Sequence, residues 1–478
     1  MAHRRLSAAM LALLVTACAS PPPSPILSPP QATARPSDPI AGPSQLPTSS
    51  QPAPALTPEP TAASALVPGT VDRSSLDISA TYDVDLRVAV ASGDIAVRTV
   101  IAIRNRSGGP IDRLELNAIA GRLGDMKLGR VTVDGQAALP SVDDQTVSVP
   151  LRGILPDGAG ATIGVDYSAR LRRDLGGSDW LFSRAGGTLA LYRWIPWVSR
   201  AVPFDRPNHG DPFVTPTSLD VRVRVTTDVP MVLASPGVEP RQDGLSWTFE
   251  VADVRDVAIV MAPDFMLTSG LSGTVPIRVY TRPGGLSGAK VARQAELAIA
   301  RLGDRLGVQY PWPAFTVVET EGGYGMESPG LIFIPKATTA SNLAYLVHHE
   351  TAHQWFYGLV GNDQQGQPFA DEAAADMTAR AVLGLSRASR CARSVLDRAI
   401  TAYSQACYFE DIYIQGGLVL NDIRRTMGTD RFWTAVHDYV AANRFGLAGT
   451  RQLLETLRAA SPADLRPILR SRFPSLYP

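Results

Sequence analysis

The sequence predicts a β-rich domain followed by an α+β domain that becomes mostly helical toward its end. Three observations predict this. Residues 72–268 alternate apolar and polar positions in short runs separated by turn formers. From 269 to 478 the apolar period lengthens to that of a helix, with two strand-like runs near the beginning. The composition, 45% apolar with 45 basic residues against 45 acidic, suffices for one or two full cores. With no net charge, no polyanionic partner is implied and nucleic-acid binding is not expected.

The first segment, "MAHRRLSAAMLALLVTACAS", places Arg4 and Arg5 before an apolar run that is too short to span a bilayer. It reads as a secretion signal over residues 1–17. Val15-Thr16-Ala17-Cys18 looks like a bacterial lipobox, which implies lipid on Cys18 and an extracytoplasmic, membrane-anchored protein of the cell envelope. Residues 18–71 are crowded with Pro, Ser, Ala and Thr, and between 19 and 70 the only charges are Arg35, Asp38 and Glu59. Such a stretch has too little apolar surface to fold and is expected to be an extended tether.

Between 72 and 268, "YDVDLRVAV", "AVRTVIAIRN", "LDVRVRVTT", "LSWTFEV" and "VAIVMA" are strand patterns, and together they indicate a β-sandwich-like domain. An aromatic, turn-rich insertion carries Asp205, His209 and Asp211, which turn chemistry explains without a metal. Beyond 269, "GAKVARQAELAIARLGDRLG" is helical, and "FTVVET" and "GLIFIP" are strands. Helices are expected at 341–358, 367–386, 392–405 and 412–426, and two more within the last fifty residues. Apart from Cys18, the only cysteines are Cys391 and Cys407. In an oxidising compartment they are expected to pair, closing a loop for up to about 3 kcal/mol; two buried free thiols are the alternative.

Three of the six histidines fall in "LVHHETAHQW". His349 and His353 are four apart, so a helix projects both from one face, as two imidazoles on a tetrahedral zinc require. Glu350 stands beside that pair, where a carboxylate would take a proton from a zinc-activated water. A catalytic zinc also needs a third protein ligand, and Glu372 in "FADEAAADMTAR" follows His353 with eighteen residues between them. Asp376, one turn beyond Glu372, is the expected acceptor for the outer N–H of a ligating histidine. His348 points to another helix face, and neither His209 nor His437 is assigned a role.

The pattern His-Glu-x-x-His, eighteen residues, Glu resembles the gluzincin metallopeptidases, specifically the aminopeptidase N family. "GGYGMESPGLIF" is similar to that family's Gly-x-Met-Glu-Asn motif, with Tyr324 and Gly325 at the usual Gly-x pair and Ser328 in place of Asn. "DIYIQGGLVLNDIRRTMGTDRFWTAVHDYV" is similar to its catalytic-tyrosine segment and the helix pair after it. The resemblance spans residues 72 to about 460 and implies a saddle-like β-sandwich domain followed by a thermolysin-like catalytic domain. It does not extend to the long helical C-terminal domain of many members.

The resemblance implies an aminopeptidase with one Zn²⁺ per chain on His349, His353 and Glu372. Glu350 would be the base and Tyr413 the oxyanion donor, with Tyr408 as the competing tyrosine. Glu327 would bind the free N-terminus of a peptide substrate, with Gly325 and Met326 beside it. An endopeptidase or other hydrolase using the same centre, or a non-catalytic peptide-binding envelope lipoprotein, are the alternatives.

Overall fold

The structure is a computed structural model that describes residues 65–201 and 213–478. The signal expected at 1–17 lies outside the described residues, as do 18–64 of the tether expected at 18–71, Cys18 with them, and Asp205, His209 and Asp211. The last residues of that expected tether are not free of structure: Val67 exchanges backbone hydrogen bonds with Ile154 at 2.9 and 2.8 Å.

The β-rich part is built on an eight-stranded sheet whose centre comprises β1 (Ile78–Ala89), β2 (Asp94–Asn105), β3 (Gly160–Arg170), β4 (Asp220–Thr227) and β5 (Ser246–Ala252). Along β1, Ile78, Ala80, Tyr82, Val84, Leu86 and Val88 are buried while the residues between them are not, as the alternation requires for a sheet with one face on a core. β1 pairs antiparallel with β2 and parallel with β4. A four-stranded sheet containing Ile111–Asn117 and Thr146–Leu155 contributes Leu114, Leu116, Val147 and Val149 to the same core.

A second sheet of five strands follows, in the order β6 (Met266–Ser272), β7 (Val275–Thr281), β8 (Phe315–Thr320), β10 (Leu331–Pro335), β9 (Met326–Ser328). Strands β8 and β10 are buried throughout, the mark of strands covered on both faces. The edge strand β9 runs antiparallel to β10 and carries Met326, Glu327 and Ser328. Between β7 and β8 lies α1 (Gly288–Leu306), which buries Val291, Ala295, Ala298, Leu302 and Leu306 and stops at Gly307 in the left-handed region, φ 66°.

The helical half contains α2 (Ala340–Ala352), α3 (Glu372–Leu383), α4 (Gly416–Met427), α5 (Thr429–Ala442), α6 (Thr450–Ala460) and α7 (Arg466–Arg472). Three helix expectations need correction. The helix expected over 341–358 ends at Ala352, because His353, Gln354 and Trp355 carbonyls accept the amides of Gly358, Leu359 and Val360 in a turn. The helix expected from 367 begins at Glu372, after a 3₁₀ turn over Pro368–Ala370. No α-helix forms at 392–405, where only Ile400–Ala402 makes a 3₁₀ turn. There the backbone is satisfied by side chains instead: Gln415 donates to Ala392 O at 2.8 Å, Arg472 to Ser394 O at 2.9 Å and Tyr403 to Val395 O at 3.0 Å. A disulfide joins Cys391 to Cys407 across this segment. A π-helical stretch, Glu410–Gln415, leads into α4.

The β-rich part holds the turn after α2 directly. Arg255, fully buried, donates to the carbonyls of Thr215, Gly358 and Leu359 at 2.9, 3.1 and 3.2 Å. Asp256 beside it accepts the hydroxyls of Ser328 and Tyr357. The edge strand and the end of α2 are thereby tied to one carboxylate.

Candidate metal centre

His349 and His353 leave the same face of α2, His353 as its capping residue, and Glu372 is the first residue of α3. The two Nε2 atoms are 3.3 Å apart, and Glu372 Oε2 lies 3.4 Å from that of His349 and 3.3 Å from that of His353. A tetrahedral zinc with bonds of about 2.05 Å separates its donors by about 3.3 Å, so this triangle has the donor spacing of a zinc site. All three residues are buried, and Glu372 Oε2 has no hydrogen-bond donor. Converging out of water, these atoms call for positive charge among them, which a proton on an imidazole or a bound metal ion would supply. The donor set, two imidazoles and a carboxylate, fits zinc.

The orienting acceptor on the histidine differs from expectation. Asp371 Oδ1 accepts from His353 Nδ1 at 2.6 Å, and Phe356 O shares that donor at 3.1 Å, which leaves Nε2 its lone pair. Asp376 instead accepts the Tyr345 hydroxyl and Arg380 Nε, the latter at 2.8 and 3.0 Å. The reason is helix geometry: one turn beyond Glu372 carries the side chain about 5.4 Å along α3, opposite Tyr345 rather than His349. Asp376 still reaches the centre indirectly, because the Tyr345 ring stacks on His349 with centroids 5.7 Å apart.

Glu350 is buried beside the triangle, and Glu327, Glu350 and His353 form a second converging group. Burial and the neighbouring Glu327 hold the Glu350 carboxyl well above its ordinary value. Burial also pushes Asp371 up, to about 7, against the pull of His353. Burial opposes a charge on His353, yet Asp371, Glu327 and Glu372 together hold it well above the ordinary imidazole range. The net field is that of a site built for positive charge.

Glu327 sits on β9, 6% exposed, and accepts Gln364 Nε2 at 2.9 Å. The same Gln364 nitrogen donates to Asp371 Oδ2, so one amide links the carboxylate on the edge strand to the one that orients His353. Sequence reasoning passed over Gln364 and Asp371; the only signal for the second was its place immediately before Glu372. A Cβ on Gly325 would overlap the Glu350 carboxylate, and one on Gly323, at φ +84°, would overlap the Trp180 ring. Met326 is half-buried next to Glu327. Gln354 fastens this strand to α2, accepting Gly330 N–H at 2.8 Å and donating to Ser328 O at 3.0 Å.

Tyr413 brings its ring to 5.4 Å from that of His349. Burial, then the Glu372 carboxylate, raise its phenol well above the usual value, so it stays a donor. Tyr408 is buried edge-on behind Tyr413, centroids 6.0 Å apart. His348 donates from Nδ1 to Ala344 O at 2.8 Å and burial pushes it down to about 4, while His437 Nδ1 meets Leu306 O at 3.1 Å; neither faces the triangle.

No family model matches the chain, and no curated protein matches it in sequence. Its fold is that of solved M1 zinc metallopeptidases. A crystal structure of such an enzyme from Deinococcus radiodurans aligns with a TM-score of 0.66 at 18% identity, over 85% of this chain and 96% of that one. A two-domain M1 zinc metallopeptidase bound to L-arginine aligns at 0.67, and the Deinococcus radiodurans enzyme bound to a Tyr-Ser-Ala substrate at 0.65, each at 18% identity over the same shares.

Proposed function

We propose that this chain is a zinc-dependent metallopeptidase of aminopeptidase type, held outside the cytoplasmic membrane by lipid on Cys18. The observation that carries the peptidase reading is the 3.3–3.4 Å triangle of His349, His353 and Glu372 with Glu350 buried beside it. The solved structures of similar fold, one of them with a bound tripeptide, support a peptide substrate. The envelope placement rests on the residues around Cys18 alone.

Zinc held by His349, His353 and Glu372 would supply a Lewis acid that polarises the scissile carbonyl and acidifies a water. Asp371 fixes His353 with its Nε2 lone pair inward. Glu350, whose raised proton affinity suits a base, takes the water's proton and returns it to the leaving amine. The Tyr413 hydroxyl donates to the carbonyl oxygen as charge develops on it. Glu327 receives the substrate's ammonium, which limits attack to the first peptide bond, and Gln364 keeps that carboxylate in place.

The test is hydrolysis of aminoacyl amides beside their N-acetylated twins, with chelator and zinc add-back. Zinc-dependent cleavage of the free amines alone is expected. Equal cleavage of both sets would overturn the aminopeptidase assignment and leave an endopeptidase or other zinc hydrolase. Glu350→Gln should keep zinc and lose activity by about 10²-fold or more; full activity in that variant would overturn the mechanism.

A further inference from the structure

A cavity of about 360 Å³ opens one to two turns along α3 from Glu372, between α3 and α4, and Arg305 of α1 and Trp433 of α5 complete its wall. Four arginines line it, Arg305, Arg380, Arg387 and Arg424, but only one carboxylate, Asp376. The peptidase chemistry uses none of these cations.

Their partners leave a surplus of positive charge. Asp376 is engaged by Arg380. Arg387 pairs with Glu410, but that same carboxylate also holds Arg390. Arg424 donates only to neutral oxygens, Asn421 Oδ1 at 2.8 and 3.0 Å and Thr429 Oγ1 at 2.6 Å. The Arg305 guanidinium lies 5.0 Å over the Trp433 ring, and among the described residues no carboxylate reaches within 4.0 Å of Arg305 or Arg424. Stacking on an aromatic face leaves the N–H edges of a guanidinium available to an oxoanion.

Besides Ser386, Asn421 and Thr429, the rest of the lining is apolar or glycine. Met377 and Trp433 stand in it, and Leu385 and Leu418 are left 47% and 40% exposed, so an occupant with an apolar body would cover surface that is otherwise wet. An adjoining cleft shares Arg387 and Leu418 and adds Arg393 and Arg472, which continues the positive lining. The segment that carries Arg387, Arg390 and Arg393 is tied down by the Cys391–Cys407 disulfide and by Gln415, so its cations are positioned before any ligand arrives.

We propose that this cavity binds a small amphiphilic anion, its phosphate or carboxylate group received by Arg305 and Arg424 and its apolar body packed on Met377, Leu418 and Trp433. The volume falls in the range of small-molecule sites, about 300–1,000 Å³. This site is separate from the metal centre and does not rest on the peptidase reading.

The experiment is calorimetric titration of the full chain, zinc-loaded and zinc-stripped, with phenyl phosphate and benzoate as complete probes. Inorganic phosphate supplies the charge alone and benzyl alcohol the ring alone. One complete probe per chain is expected in both metal states, about tenfold or more tighter than either half-probe and weakening with added salt. The Arg305→Gln/Arg424→Gln double variant should lose this binding. Leu418→Glu, a change at a partly exposed position, should weaken it by setting a carboxylate beside the anion. Binding that survives both variants, that vanishes when zinc is stripped, or that never exceeds the half-probes would overturn the proposal.

Discussion

Asp371 Oδ1 stands 2.6 Å from His353 Nδ1, so the residue just before the third metal-facing side chain orients the second. An acceptor of this kind sets the tautomer and raises the basicity of the ligand, and losing one weakens metal binding by about 10–100-fold. Asp371→Ala is therefore expected to raise the zinc dissociation constant by that factor in chelator competition. Asp376→Ala, which removes a partner of Tyr345 and Arg380, should weaken zinc less.

Gly325 leaves no space between the edge-strand loop and Glu350, since a Cβ there would overlap the carboxylate. Gly325→Ala should displace Glu350 and cost about 10²-fold in kcat while one zinc per chain is retained, because small misplacement of a reacting group carries penalties of that order. Unchanged kcat with unchanged zinc content would show that Glu350 is not the base.

Gln364 supplies the amide between Glu327 and Asp371. Hydrogen bonds to charged groups contribute about 1.5–3 kcal/mol, so Gln364→Leu should lower kcat/KM for free-amine substrates by about tenfold or more, mainly through KM. A substrate series measured at saturating zinc separates this from any loss of metal. Equal kcat/KM in parent and variant would mean that the bridge does not position the amine anchor.

At the start of the folded part, Asp112 accepts the backbone amides of Val71, Asp72 and Arg73 at 2.7, 2.8 and 2.9 Å. Although its partial burial alone would raise its pKa, those amides outweigh burial and hold it below the usual carboxylate value. A carboxyl depressed in the folded state stabilises the protein above its unfolded pKa and loses that contribution as pH falls through the folded one. Asp112→Ala should lower Tm near neutral pH, by about 1 kcal/mol of stability, and the gap from the parent should narrow as the solution is acidified below the ordinary carboxylate range. A gap that stayed constant with pH would assign the loss to packing.

The β-rich half was legible because strand alternation reports one-sided burial, as the inward set on β1 shows. The helix ends were less so. "HHETAHQWFYG" keeps a helical pattern past Ala352, yet the chain turns there, and Tyr357 takes a φ of 110° while its hydroxyl bonds to Asp256 from the β-rich part. The stretch at 392–405 failed for a related reason: its backbone partners are side chains from residue 403 and from 415 and 472, and no local period records them.

By itself, the sequence determined most element classes and which residues converge at the candidate metal centre, because a four-residue spacing on a helix and a carboxylate opening the next one are local facts. The tertiary structure decided which groups orient that chemistry. Asp371 rather than Asp376 reaches His353, Gln364 ties Asp371 to Glu327, and Gly325 lies against Glu350. Each of these depends on where one element crosses another, and a crossing is set by packing across the whole core, which no stretch of sequence spells out alone.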